Sequence, residues 1–173
     1  NAGLKSKNEW IYIATTKQYA ANNHFKIGST RRLAARISSY QTGRVDDDNM
    51  YYCWVFKCHN SSKLDSVIKD ALSMFLENKT KEMYVLHYDY LEDLVHHICT
   101  NYTAFMDYVN NFITNVLPNI GDIPSRIPDQ VVVEKIKVTI NNINDDQPVI
   151  IDNMSEPEII NFLSDRINHI NTD

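Results

Sequence analysis

The sequence predicts an α+β fold: a small, mainly antiparallel sheet of three strands flanked by helices, followed by a C-terminal strand and helix extension. Two short runs of β-branched and aromatic residues, Trp10-Ile11-Tyr12-Ile13 and His24-Phe25-Lys26-Ile27, sit one polar connection apart. A third such run, Met50 to Lys57, follows a segment of helical period. Beyond it, apolar residues recur at helical spacing through Leu64, Ile68, Leu72 and again through Leu91, Leu94, Val95 and Ile98, which marks helices that cover the sheet.

Taken in order, the first run places Trp10 and Tyr12 on one face of a strand and Ile11 and Ile13 on the other. The connection from Thr15 to Asn23 is polar and closes on Asn22-Asn23, residues that tolerate left-handed backbone, so a hairpin is expected. In the second run Phe25 and Ile27 point one way and Lys26 the other. Gly28 ends it with no side chain to crowd an approach. Thr30 is the expected N-cap of a helix carrying Arg32, Arg36 and Tyr40 at four-residue spacing beside Leu33 and Ile37. Gln41 to Asn49 reads as a loop with an acidic turn at Asp46-Asp47-Asp48, which lacks the glycine and distal glutamate of a calcium loop. Ser61-Ser62 opens a helix to about Phe75 with Asp65 in its first turn, where a carboxylate suits the helix dipole. Asn78 to Lys81 is a polar loop, Glu82 to Leu86 a short extended run, and Tyr88 to Ile98 another helix.

Four regions are expected: a main domain over 9–98, an amphipathic helix over 99–117, a Pro-containing linker over 118–130, and a small α/β extension over 131–173. In the second, Tyr102, Phe105, Met106, Val109, Phe112, Ile113 and Val116 form a wide apolar stripe that either packs on the main domain or makes a homodimer. In the last, Ile136, Val138 and Ile140 alternate with polar residues as a strand, and Val149-Ile150-Ile151 is able to pair back on it. Ser155-x-x-Glu158 is a capping box for a final helix. So short an extension is expected to dock on the main domain or on a second subunit.

The 173 residues are 43% hydrophobic, enough for a core, and no apolar run approaches the roughly 20 residues a bilayer span needs. A soluble intracellular protein with no membrane partner is expected. Cys53, Cys58 and Cys99 are odd in number and read as ordinary buried thiols rather than a disulfide framework or a zinc site. The net charge of −5 hides an asymmetry: the first 45 residues hold eight lysines and arginines against Glu9 alone, a balance of +7, which leaves −12 for the rest. A basic face on an acidic body suits phosphate binding, with Lys26, Thr30, Arg31, Arg32, Arg36 and Arg44 as its expected contacts.

Trp10-Ile11-Tyr12, then Lys26-Ile27-Gly28, Thr30 and Arg36-Ile37 resemble the GIY-YIG nuclease superfamily, most of all its branch in bacteriophages and large DNA viruses. The resemblance covers roughly residues 9 to 98 and continues weakly through Leu64-Asp65 and Glu82-Met83-Tyr84. It implies an endonuclease that hydrolyses DNA phosphodiesters, branched or structured DNA included. Tyr12 would be the base that activates water, and Arg36 the ligand of the scissile phosphate. Lys26 would contact phosphate or depress the pKa of Tyr12, and Tyr40 would stand where relatives often have a histidine. One Mg²⁺ or Mn²⁺ would be held by Asp65. Besides Tyr40, two positions depart from the pattern. Trp10 replaces the first motif's glycine, and Asp65 replaces a glutamate, which retracts the carboxylate by roughly 1 to 1.5 Å. The alternative is therefore a catalytically weakened relative that binds nucleic acid or a protein partner without cleavage. A viral relative would act in the cytoplasm or nucleus of a host cell.

Overall fold

The computed structural model describes residues 8–44, 48–78, 82–133 and 150–152. The fold is α+β, as expected, but the sheet is larger than three strands. Six strands run in the order β4-β5-β2-β1-β3-β6, with every neighbouring pair antiparallel. They are β1 (Glu9–Thr15), β2 (His24–Thr30), β3 (Tyr51–Cys58), β4 (Leu76–Asn78), β5 (Met83–Val85) and β6 (Ile150–Asp152). Three of them are only three residues long, too short for a periodic pattern to show in sequence.

β1 lies at the centre, and its alternation explains why both faces are covered. Ile11 and Ile13 join Phe25, Ile27, Trp54 and Phe56 under the helices α3 (Ser61–Ala71) and α4 (Tyr88–Thr100). Trp10, Tyr12 and Ala14 join Tyr52, Val55, Met50 and Leu33 on the opposite face, under α2 (Leu33–Gln41). A register shift between Ile13 and Ala14 breaks the β1–β3 ladder near its end.

The β1–β2 connection is not a plain hairpin loop. Thr16 caps a short helix, α1 (Lys17–Ala21), by accepting from the Tyr19 amide at 3.0 Å, and Asn23 then turns the chain with φ of 59°. Thr30 is likewise not the N-cap of α2. That position is Arg32, and the Thr30 hydroxyl accepts from the Arg32 amide at 3.0 Å, stiffening the turn before the helix. Asp65 lies one turn further in than expected, because α3 starts at Ser61. Its N-terminus is capped from a distance: the buried Glu9 carboxylate on β1 accepts from the amides of Asn60 and Ser61 at 3.2 Å and from the Ser61 hydroxyl at 3.0 Å.

The apolar stripe beyond Tyr102 folds onto this same domain. Helix α5 (Met106–Asn111) begins later than the periodicity predicts and runs into a π-turn over Phe112–Val116 and a 3₁₀ turn at Leu117–Asn119. Val109 and Phe112 are buried, with Phe112 against Phe75 and Tyr90, while Tyr102 and Met106 remain exposed. The Pro-containing segment after it is strapped down rather than free. Ser125 donates to the Ala21 carbonyl at 2.7 Å, Arg126 pairs with Asp89 at 2.6 Å, and Tyr51 donates to the Pro128 carbonyl at 2.7 Å. His87 accepts from the Asp89 amide through Nδ1, which leaves Nε2–H to donate to the Pro124 carbonyl. The Val131 amide donates to the Tyr52 carbonyl at 2.7 Å, and its side chain is 1% exposed within the Tyr12 cluster. Val131→Ala is accordingly expected to lower stability by about 2 kcal/mol, measured by urea unfolding, although it lies far along the chain from any strand motif.

Of the extension, only Ile150–Asp152 is described after residue 133, and it pairs with β3. The run at 136–140, the acidic residues Asp46 and Asp47, the loop 79–81, and the capping box Ser155 to Glu158 with the final helix lie outside the described residues. No described helix is long and apolar enough to cross a membrane. All three cysteines are free thiols.

Candidate functional site

Gly28 is the hinge of the candidate site. It is paired with Tyr12 across the β1–β2 ladder, and the phenol of Tyr12 folds over it so closely that a Cβ there would lie 2.5 Å from the Tyr12 hydroxyl. A glycine is needed at this point for space, not for backbone freedom. Tyr52 packs edge-on against the same ring at 5.1 Å, and its own phenol donates to the Leu33 carbonyl at 2.6 Å while interacting with the Ile37 amide. Tyr52 thus links the catalytic-candidate ring to the first turn of the arginine-bearing helix. Nothing in its strand-like neighbourhood Tyr51-Tyr52-Cys53-Trp54 singles it out in sequence.

Tyr40 completes the group. Its hydroxyl meets that of Tyr12 at 2.5 Å, and the Lys26 ammonium lies 4.5 Å from its ring centroid in a cation–π contact. Arg36 stands close enough to favour ionisation of Tyr12, but burial, the hydrogen bond with Tyr40 and the Tyr40 charge all act the other way and dominate. The Tyr12 phenol is therefore held well above its ordinary range. This corrects the expectation that Lys26 depresses the Tyr12 pKa: the lysine addresses Tyr40 instead. At neutral pH Tyr12 is a protonated phenol in a two-phenol chain, not a phenolate base.

Outside this chain of phenols lies a shallow cleft of about 390 Å³ lined by Thr30, Arg31, Arg32, Ala35, Arg36 and Ser39. Arg32 and Arg36 are exposed and form no ion pair with any described residue. Arg31 makes one long contact to Glu9 at 3.9 Å and is 77% exposed. Only Arg36 belongs to the helix itself; Arg31 and Arg32 precede it. Arg44 is different. It pairs with Asp48 at 2.9 Å, donates to the Tyr40 carbonyl at 3.0 Å and stacks over Tyr19, so it holds the loop after α2 and is not available as a free phosphate contact. Trp10, in place of a glycine, is buried in the Tyr12 cluster beneath this surface.

Asp65 is brought to the same strand from the other face. Ser29 alternates with Gly28, and its hydroxyl bonds the Asp65 carboxylate. Tyr12, Lys26, Arg36 and Tyr40 thus converge on one face of β2, and Asp65 approaches from the opposite one; the expected single cleft is divided by the strand. Past Lys26, no described strand pairs with β2 on its outer side, so among the described residues 28–30 form an open edge between the two groups. Burial and the nearby Glu82 charge raise the Asp65 carboxyl to about 6, with Lys69 and Ser29 opposing. One Asp65 oxygen is buried without a hydrogen-bond partner among the described residues. No cluster of three or more His, Cys, Asp or Glu suited to a metal occurs among the described residues.

The Asp65 shift has a consequence for stability. A carboxyl raised on folding favours the folded state fully below its unfolded value near 3.8, and the benefit is lost as pH rises through about 6. Two units correspond to about 3 kcal/mol, reduced to about 1–2 kcal/mol by partial exposure. Asp65→Asn is expected to stabilise the protein by that amount at pH 7.5 and hardly at all at pH 4, read by urea unfolding at both.

Fold and site together define a small α+β domain in which a tyrosine, a lysine and exposed arginines gather on one face of β2, a strand that carries Gly28 in its interior rather than ending on it as the sequence suggests. The chain belongs to the T5orf172 domain family, whose profile matches residues 9–101. It is 45% identical over 123 residues to Bro-N domain-containing protein 019R of Invertebrate iridescent virus 3, covering 70% of this chain and 30% of that one. It is 31% identical over 134 residues to MSV199 domain-containing protein 420R of Invertebrate iridescent virus 6, covering 75% of this chain and 30% of the relative. The chain thus spans about a third of the length of these relatives. No solved structure matches it.

Proposed function

We propose that this domain is a metal-dependent endonuclease of the GIY-YIG type acting on DNA, and that the scissile phosphate sits at the open edge of β2 beside Gly28. The observation that carries this reading is the Tyr12 phenol lying over Gly28, with the open cleft of Arg31, Arg32 and Arg36 next to it. The Arg36 fork takes the non-bridging oxygens in paired hydrogen bonds. Lys26 adds positive charge beside Tyr40.

Because Tyr12 is protonated, its part is that of a relay: its oxygen accepts a proton from the attacking water as its own proton passes to the Tyr40 oxygen, and Tyr40 releases one to solvent. Asp65 has a buried carboxylate oxygen that lacks a partner among the described residues, which fits a ligand for Mg²⁺ or Mn²⁺. When bound, the cation supplies Lewis acidity to the phosphate and leaving oxygen. Arg31 and Arg32 serve the neighbouring phosphates, and Thr30 shapes the turn that carries them. If the substrate is viral DNA, the domain acts inside the host cell.

A second reading is favoured by two observations: Asp65 approaches from the far face of β2, and Tyr12 resists ionisation. In it, the arginine cleft binds nucleic acid without cutting it. Incubation of supercoiled, linear, branched and single-stranded DNA, and of RNA, with and without Mg²⁺ or Mn²⁺ separates the two. The nuclease yields metal-dependent product; the binder yields salt-sensitive complexes and no product.

A further inference from the structure

The far face of β2 holds more than Asp65. Lys69 stands one turn after it on α3 and donates to the Glu82 carboxylate at 2.9 Å. Glu82 is fixed by its backbone, with φ of 56° and a carbonyl that accepts from the Ile27 amide at 3.4 Å. Both side chains of the pair are about one-third exposed. Tyr84, two residues on, is completely buried, its hydroxyl has no hydrogen-bond partner among the described residues, and its charged neighbours are Asp65 and then Glu82. Two carboxylates therefore share one ammonium, while a carboxylate oxygen and a phenol beside them stay unsatisfied. Unpaired buried polar atoms are costly, and a hydrated cation satisfies this set: carboxylate oxygens on the ion and one of its waters on the Tyr84 phenol.

We propose that Asp65 and Glu82 together seat one divalent cation, and that Lys69 is its resident competitor, released from Glu82 when the cation binds. This rests on the metal-dependent reading above but extends it to residues outside the single helical carboxylate. Two protein carboxylates with water and phosphate completing the shell are enough for Mg²⁺ or Mn²⁺. Lys69 keeps the pair of carboxylates from repelling each other in the cation-free protein.

The test is a Mn²⁺ titration of the full chain without nucleic acid, followed by electron paramagnetic resonance of the free ion. Glu82→Gln is expected to weaken Mn²⁺ binding about tenfold or more, and Lys69→Met to tighten it about tenfold. The opposite signs guard against a folding artefact, because an unfolded variant does not bind more tightly. The proposal is overturned if Glu82→Gln leaves the affinity unchanged, if Lys69→Met weakens it, or if no saturable Mn²⁺ binding is found. Its failure is separable from that of the nuclease reading. Cation exchange of the expected sign in a protein that cuts nothing sinks the nuclease alone, whereas metal-dependent cutting with Glu82-independent Mn²⁺ binding sinks this seat alone.

Discussion

Arg36→Ala should reduce DNA cleavage by at least about a hundredfold while leaving the fold intact. The side chain is exposed on α2 and makes no ion pair with a described residue, so its loss should shift stability by no more than about 0.5 kcal/mol. Its proposed work is to hold charge that develops on the phosphate, and deleting one such donor removes about 2.7–4 kcal/mol of transition-state stabilisation. Binding should weaken less, with a salt dependence lower by about one phosphate contact. Arg36→Lys keeps the charge but not the fork, and should recover binding far better than cleavage. Arg44→Ala makes the contrast. Its guanidinium is engaged by Asp48 and the Tyr40 carbonyl, so it should cost stability first.

Gly28→Ala should damage stability and cleavage together. The added methyl would lie 2.5 Å from the Tyr12 hydroxyl and 2.8 Å from the carbon that bears it. Tyr12 has little room to yield, because it is 1% exposed, edge-packed by Tyr52 and hydrogen-bonded to Tyr40. Overpacking of this kind costs about 1–3 kcal/mol, and a displaced phenol costs about a hundredfold in rate. Gly43→Ala is the matched control. Its φ of 81° carries a left-handed penalty, but nothing lies within 4 Å of the new carbon, so stability should fall modestly and turnover should not. Thermal melts and a cleavage assay on the two variants side by side check both halves.

Much of the Tyr12 face was legible in the sequence, because strand alternation and four-residue helical spacing put Tyr12, Lys26, Arg36 and Tyr40 on surfaces that must meet. The far face was harder to read. Asp65 stands out only by its place after Leu64, and its encounter with Ser29 depends on which face α3 covers, a tertiary fact. Ser29 itself is visible in hindsight as the neighbour of Gly28 that must point the other way. The upward push on the Tyr12 phenol is not legible in the sequence, because it comes from burial and from the Tyr40 hydroxyl, which outweigh the nearby Arg36 charge. Short strands such as β4 and β5 escaped because three residues cannot display a period. The strap through Val131 escaped for another reason, since prolines at 118, 124 and 128 read as a linker until the Pro128 and Pro124 carbonyls are seen to accept from Tyr51 and His87.

The central claim is that one phosphate at the β2 edge is addressed by Arg36 and Tyr12 from one face and by a cation on Asp65 from the other. Anomalous diffraction from Mn²⁺ in crystals of the Tyr12→Phe variant bound to uncleaved DNA tests it most directly. The expected result is one Mn²⁺ peak on the Asp65 carboxylate, with a DNA phosphate between it and the Arg36 guanidinium beside Gly28. A phosphate held in the Arg31–Arg32–Arg36 cleft with no Mn²⁺ at Asp65 would contradict it and leave a nucleic-acid binder.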